Sequence, residues 1–481
     1  MELIIPLDNH SGIPMYEQIY QYMKKEIRQG HLGAGSRLPS TRVLASHLKI
    51  SRSTTQMAYD QLLSEGYIES SPCRGYFVSE MEELIDIQRE ERQKHPGVFV
   101  EQEEEKEAGY AVDFSPRGID LDSFPFNTWR KITKNILVND NKALFLSGDP
   151  QGEYALRDAI RAYLHTARGV RCQPDQIIIG AGTEYLLMLL SMILGRNRVI
   201  AMENPTYRQA YHVFVSQGQP VLPISMDKSG MSVELLREQK IPEPDTAYVM
   251  PANQYPMGIV MPVKRRQELL AWAKEKEGRY IIEDDYDSEF RYKGKPIPAL
   301  QGMDEGEKVI YIGTFSKSIA QAIRVGFMVL PKRLLEEYRM RAGFFSSTVP
   351  RIDQNILYQF LTEGYYERHL NRMRGIYKGK HDCFLEELKG FEDKFMVGAE
   401  YAGLHLLLSD TSGRKEQELL DRAAAAGVKA YGLSQYFIYP EYHRYPSTIV
   451  LGYANLSEKE IGEGAKRLRE AWDVQISFDR T

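Results

Sequence analysis

Hydrophobic positions in the first eighty residues fall at helical spacing. Tyr16, Ile19, Tyr20, Met23 and Ile27 follow Pro14, and Gly30 ends the run, which predicts a helix. Ser40 stands where a helix cap is needed, with Val43, Leu44 and Leu48 expected as the next buried stripe. A tight turn at Lys49-Ile50 leads to another helix, opening on Ser51 to Gln56 with Tyr59, Leu62 and Leu63 inward. After Gly66, Tyr67–Ser70 and Arg74–Val78 read as a β-hairpin with Arg74 at its tip. From about residue 111 the pattern changes. Short apolar runs, QIIIG (176–180), RVIAM (198–202), TAYVM (246–250), RYIIE (279–283) and KVIYIG (308–313), alternate with helix-period stretches. That alternation predicts a largely parallel sheet with helices on both faces, whose ligand site lies at the carboxyl ends of the strands.

Composition narrows the class. The 481 residues are 43% hydrophobic and 26% charged, as in a multidomain globular protein. The longest apolar stretch, Tyr185–Leu194, falls short of the roughly 20 residues a spanning helix needs. MELIIPLDNH has neither the basic start nor the apolar core of a secretory signal. Cys73, Cys172 and Cys383 lie far apart, which excludes a disulfide framework and a cysteine-based zinc site. The expectation is a cytoplasmic protein with no membrane segment and no metal.

The net charge of −5 is unevenly placed. Residues 80–107 hold eleven acids against four bases, whereas the first 79 residues hold eight bases and seven acids. Nucleic-acid binding therefore rests on where particular residues sit, not on bulk charge. Residues 80–110, broken at His95-Pro96-Gly97, read as an acidic linker, helical and then flexible; an exposed helix of the next domain is the alternative. The domains expected are 1–79, the linker 80–110 and a body over 111–481, with a small C-terminal subdomain from about 365.

Two short helices joined by a turn can set the start of the second into a major groove. There Arg52 would reach guanine or phosphate, and Ser53, Thr54 and Gln56 are short donors for base edges or backbone oxygens. A small protein-interaction domain is the other reading. LPSTRVLASHLKISRSTTQMAYDQLLSEGYIESSPCRGYFV resembles the winged helix-turn-helix of the GntR family along its whole length. The resemblance implies contacts to operator DNA from Arg42, Ser51, Arg52, Ser53, Thr54 and Gln56, with Arg74 and Gly75 in the wing.

In the body, four pieces sit at strand ends. Gly180-Ala181-Gly182-Thr183-Glu184 opens a helix, where backbone N–H groups suit a phosphate; it lacks the Walker GK[ST] and the third glycine of a dinucleotide fingerprint. Glu283-Asp284-Asp285-Tyr286-Asp287 follows a strand and offers a carboxylate to a protonated ring nitrogen. Thr314-Phe315-Ser316-Lys317-Ser318 brings a lysine whose desolvated amine can form a Schiff base, and Arg324 suits a phosphate dianion. Tyr207 adds a ring for stacking. Each piece alone has a plainer explanation as surface or as a strand–helix turn. Together they fit pyridoxal 5′-phosphate (PLP).

Residues 111–481 resemble fold-type I aminotransferases, which implies a mostly parallel large domain and a smaller α+β C-terminal domain. By motif, Lys317 would be the Schiff-base lysine, Asp284 the partner of the pyridine nitrogen and Tyr286 that of the ring hydroxyl. Tyr207 would stack, and Thr183, Glu184, Ser316 and Arg324 would surround the phosphate. PANQYPMGIVMP, YIIEDDYDSEF and GTFSKS resemble the MocR/GabR regulators, a GntR-type reader fused to such a body. That resemblance implies a multidomain α/β homodimer.

Two departures concern the ligand. Tyr255 stands where ordinary aminotransferases carry the asparagine that contacts the ring hydroxyl. Asn455 stands where amino-acid-sensing members carry an arginine, leaving Arg208 as the basic residue expected near the ring. The effector expected is therefore an amine or PLP itself, sensed through Lys317. A working aminotransferase with an appended reader, and a DNA-binding scaffold without cofactor, are the rival readings; the missing glycine fingerprint disfavours hydride transfer.

Overall fold

The computed structural model describes residues 5–8, 11–71, 74–79, 109–138, 142–292, 297–439 and 445–474. It divides into two compact units, Met1–Glu104 and Glu105–Thr481. All of the expected linker except residues 109–110 lies outside the described residues.

The first unit contains α1 (Met15–Arg28), α2 (Thr41–Leu48), α3 (Arg52–Ser64) and the antiparallel hairpin β1 (Ile68–Ser71) and β2 (Gly75–Val78). Ser40 and Ser51 cap α2 and α3, each accepting from a backbone N–H three residues on. Lys49 ends α2 in the left-handed region, with φ of 56°, and so turns the chain into α3. The buried Thr55 hydroxyl donates to the Thr41 carbonyl at 2.9 Å, fixing one helix against the other. Ile19, Met23, Leu44, Tyr59 and Leu62 form the core, and Leu48 and Leu63 pack on it. Val43 corrects the sequence reading: it is 59% exposed, and Thr41, Leu44 and Ala45 form the buried face instead.

The second unit begins with β3 (Val112–Asp113), α4 (Phe126–Val138), α5 (Tyr154–Arg168), β4 (Ile177–Gly180), α6 (Thr183–Leu194), β5 (Ile200–Asn204) and α7 (Arg208–Ser216). It continues with β6 (Val221–Asp227), β7 (Gly230–Met231), α8 (Val233–Glu238), β8 (Thr246–Val249), α9 (Val263–Lys274), β9 (Tyr280–Asp285), β10 (Val309–Thr314) and β11 (Gly326–Val329). The last part comprises α10 (Lys332–Arg341), α11 (Arg351–Thr362), α12 (Tyr365–Leu388), β12 (Phe395–Gly398), β13 (His405–Asp410) and α13 (Glu416–Ala425). β14 (Val428–Lys429), β15 (Tyr431–Gly432), β16 (Thr448–Gly452) and α14 (Glu458–Ala471) complete it.

The large sheet has the order β4-β11-β10-β9-β8-β5-β6-β7. Its central strands, β10, β9, β8, β5 and β6, are parallel; β11 runs against both neighbours, so β4 shares the direction of β10. Side-chain alternation buries both faces. Ile178, Ile282, Ile310 and Ile312 pack with Leu186 and Leu190 of α6 on one face. Ile177, Ile179 and Tyr311 pack with Leu156 of α5 and Leu357 of α11 on the other. Shared strand direction brings the ends of β4, β5, β8, β9 and β10, and the start of β11, to one edge.

The smaller sheet has the order β12-β13-β16-β15. Its core takes in Val112 and Phe114 from the start of the body, because β3 pairs in parallel with β14. The small subdomain is thus built from both ends of the body, not from the stretch after about 365 alone.

Candidate functional site

The strand ends form a cavity of about 250 Å³ lined by Thr183, Glu184, Tyr207, Asp284, Tyr286, Ser316, Lys317 and Arg324. All the residues expected around the cofactor thus come together. Arg117, Gln209, Met250, Tyr255, Thr314 and Gln321 also line it.

Glu283, Asp284 and Asp285 close β9, and strand alternation gives these three carboxylates separate partners. Glu283 accepts from the backbone N–H groups of Leu300 and Gln301 at 2.7 and 2.8 Å. Asp285 pairs with Arg168 at 2.7 Å and accepts from Tyr311 at 2.5 Å. Asp284 continues the row of Ile282 on the α6 face. Its Oδ2 accepts from the Tyr248 hydroxyl, and its Oδ1 is buried with no partner among the described residues. Burial raises its pKa to about 7, against the lowering effect of the Tyr248 bond. A protonated pyridine nitrogen is the kind of donor that the bare oxygen lacks, so the carboxylate fits the PLP ring.

Lys317 follows β10. Its Nζ donates to the Pro116 carbonyl at 3.1 Å. Burial lowers the amine pKa to about 8, with Asp287 opposing and the Arg117 charge assisting. A substantial fraction of the amine is therefore neutral near pH 8, the form that attacks an aldehyde. Asn253, which sequence reasoning missed, donates to the Tyr286 hydroxyl at 3.1 Å and to both Asp287 oxygens at 3.0 Å. An asparagine two residues before Tyr255 thus reaches Tyr286, while Tyr255 bonds Tyr436 at 3.1 Å.

At the opposite end, α6 opens on Gly182, whose φ is +91°. A Cβ there would come within 2.6 Å of Arg324 Nη2, so only glycine lets the guanidinium lie over the helix start. Arg324 itself has φ 49°, in the left-handed region. It pairs with Glu184 at 2.9 Å, and Glu184 accepts from the Tyr207 hydroxyl at 2.7 Å. Burial opposes charge on Glu184, but these bonds outweigh it and hold the carboxyl below its usual range. Thr314 Oγ1 lies 3.0 Å from Ser316 Oγ. Helix start, hydroxyls and guanidinium suit a phosphate. Glu184 is an acid inside that seat.

The two residues expected near the effector fall outside this cavity. Arg208 lines an adjoining one, and its Nη1 donates to the Phe437 carbonyl at 3.3 Å. Asn455 lies against Gly118 and donates to the Asp113 carbonyl at 3.3 Å. Besides Lys317 and Arg324, the base lining the lysine pocket is Arg117, which no strand or helix pattern marks.

In the first unit, Arg42, Ser51, Arg52, Ser53 and Arg74 are exposed, and neither α2 nor α3 has an acid in its first turn. Ser51 Oγ lies 2.7 Å from both Ser53 Oγ and Thr54 Oγ1, so these hydroxyls form one capping cluster. Gln56 is not free: its amide donates to Asp60 at 2.8 Å and to Tyr76 of the wing at 3.4 Å. Gly75, φ +109°, lets the wing turn beside Arg37.

Residues 15–78 match the family of bacterial regulatory proteins called gntR, and residues 120–468 match aminotransferase class I and II. The chain is 39% identical to YhdI of Bacillus subtilis, an uncharacterized HTH-type transcriptional regulator, over 99% of this chain and 100% of that one. It is 32% identical to the probable rhizopine catabolism regulatory protein MocR of Rhizobium meliloti, over 98% and 96%. Among solved structures, the body is similar to kynurenine aminotransferase of Pyrococcus horikoshii, in complex with PMP, at TM-score 0.67 and 26% identity. That match covers 75% of this chain and 90% of the other. No helix among the described residues is long and apolar enough to cross a membrane. Reader, body and full-length relatives together show that the chain belongs to the MocR/GabR-type transcriptional regulators, in which a GntR-family winged helix-turn-helix is joined to a PLP-dependent aminotransferase fold.

Proposed function

We propose that this protein is a cytoplasmic, homodimeric regulator that binds operator DNA through α2, α3 and the wing and senses an amine, or PLP itself, at Lys317. The observation that carries the reading is the buried, unpartnered Asp284 oxygen in one cavity with the Lys317 amine. When bound, PLP supplies an aldehyde that condenses with primary amines and a ring nitrogen that becomes cationic. Asp284 would hold that nitrogen, Tyr207 would stack on the ring and Tyr286 would bond its hydroxyl. Thr183, Ser316 and Arg324 would seat the phosphate. Lys317 supplies the amine, and what occupies it is the signal. A ligand alters DNA binding only through unequal affinity for two arrangements of the protein.

The test is operator affinity of the full-length dimer, measured by anisotropy on its own upstream region with and without PLP and with a panel of amines. The wild type should change its affinity or its transcriptional output on loading, and Lys317→Ala should not respond. Identical behaviour of the two proteins under every condition would overturn the proposal. The second reading, a working aminotransferase, is favoured by the retention of Lys317, Asp284 and Tyr207 in one pocket. Steady release of keto acid in a coupled assay would establish it.

A further inference from the structure

Asn253 and Asp287 stand behind the wall of the lysine cavity. Tyr286 lines that cavity, and neither of the other two does. Both are buried, at 2% exposure. Asn253 Nδ2 lies 3.0 Å from each Asp287 oxygen and 3.1 Å from the Tyr286 hydroxyl. One N–H of the amide is thus shared between two carboxylate oxygens, and the other is given to the phenol. The phenol oxygen accepts that bond, which leaves its own proton free to turn into the cavity.

This orientation leaves the buried Asn253 Oδ1 with no partner among the described residues. An orphaned carbonyl in the interior is costly. Turning the amide over would set Oδ1 against two carboxylate oxygens instead, so the amide keeps its orphan and its donor towards Tyr286. The small subdomain closes over the pair through Gly403, whose φ is +86°. A Cβ there would stand 2.6 Å from Asn253 Nδ2 and 3.1 Å from Asp287 Oδ2, so only glycine lets the backbone lie on the amide. The Gly403 carbonyl is fixed in turn by the hydroxyls of Tyr292 and Tyr453, each donating at 2.8 Å.

The Tyr286 ring has a separate support, the edge of Tyr255 with centroids 5.7 Å apart. Asp287 also acts on Lys317 through charge, opposing the effect of burial on the amine, while the lysine Nζ bonds to the Pro116 carbonyl. Counter-charge to the lysine and support for Tyr286 are two distinct roles for one carboxylate. The hydrogen bonds favour the second.

We infer that Asp287 and Asn253 are positioning residues: the carboxylate orients the amide, and the amide holds the Tyr286 hydroxyl as a donor towards the ring hydroxyl of bound PLP. The inference rests on the proposed reading of the cavity as a PLP site and adds two residues that do not line it. A hydrogen bond donated to the ring oxygen favours its anion, so the absorption of PLP reports the contact. In Asp287→Asn, an NH2 replaces one of two oxygens equally close to Asn253 Nδ2. Donor then faces donor, one amide has to turn, and Tyr286 loses its fixed partner.

The experiment is a double-mutant cycle on the full-length protein. PLP affinity by equilibrium dialysis and the absorption spectrum at one fixed pH are compared for wild type, Asp287→Asn, Tyr286→Phe and the double variant. Asn253→Ala, alone and with Tyr286→Phe, supplies a second cycle should Asp287→Asn fail to fold. Asp287→Asn should weaken PLP binding by at least about threefold and shift the spectrum in the same direction as Tyr286→Phe. In the Tyr286→Phe background the same change should alter affinity by less than about 1.5-fold, because its target is gone. An equal effect in both backgrounds would overturn the inference and assign Asp287 to the lysine charge. Wild-type affinity and spectrum in both Asp287→Asn and Asn253→Ala would overturn it as well. A wild type that takes up no PLP defeats the reading of the cavity and this inference with it, so the two failures are told apart.

Discussion

Tyr248 donates to one carboxylate oxygen of Asp284 and leaves the other buried without a partner among the described residues. The arrangement costs stability in the ligand-free protein. The Asp284 pKa rises from 3.8 to about 7 because burial disfavours the anion. Between those pH values the folded chain holds a proton that the unfolded chain has lost. Stability therefore falls as pH rises through that window and stays low above it.

Asp284→Asn keeps an acceptor for Tyr248 and removes the charge. Ligand-free Asp284→Asn should be more stable than wild type at pH 8, by on the order of 2 kcal/mol, and no more stable near pH 4. Thermal melts at the two pH values measure this. PLP affinity should move the opposite way and weaken.

The Lys317 amine sets a second pH dependence. Burial lowers its pKa from 10.5 to about 8, so the neutral nucleophile grows as pH rises towards that value. The rate of PLP capture, followed by absorbance, should climb by up to about tenfold per pH unit below 8 and level off above it. A rate still rising at the same slope at pH 10 would mean an ordinary exposed lysine.

Glu184 occupies Arg324 where a phosphate is expected. Both side chains are partly exposed, at 35% and 51%, so their pair is worth less than about 1 kcal/mol. Glu184→Gln keeps an acceptor for Tyr207 and frees the guanidinium. Equilibrium dialysis should show PLP bound about three- to fivefold tighter by this variant.

In the reader, Arg52 is exposed at the start of α3, whereas Gln56 is tied to Asp60 and Tyr76. Arg52→Ala should weaken specific operator binding by at least about tenfold at fixed salt. Gln56→Ala should act mainly by loosening the wing, with a lowered melting temperature of the first unit as its signature.

Much of the site was legible because strand ends announce themselves. An apolar run followed by an acid, a lysine or a glycine places chemistry where parallel strands finish, and Thr183, Asp284 and Lys317 all follow that rule. Strand order was not legible: β11 inserts between β4 and β10, and only that order brings Arg324 over Gly182. Asn253 and Arg117 lie in loops with no periodicity, and their contacts, to Tyr286 and Gln321, depend on chain separated by tens to hundreds of residues. Val43 failed for a local reason, since an eight-residue helix has one narrow buried face and Leu44 and Ala45 already occupy it. The pairing of residues 112–113 with 428–429 joins the two ends of the body, a contact no local pattern encodes.

The central claim is a covalent one, and borohydride reduction tests it most directly. PLP-loaded full-length protein is reduced, digested and mapped by mass spectrometry. The account predicts one phosphopyridoxyl group per chain, on the Lys317 peptide, and its loss when an excess of the sensed amine is added first. A reduced label on other lysines alone, or no label after saturation with PLP, would contradict it.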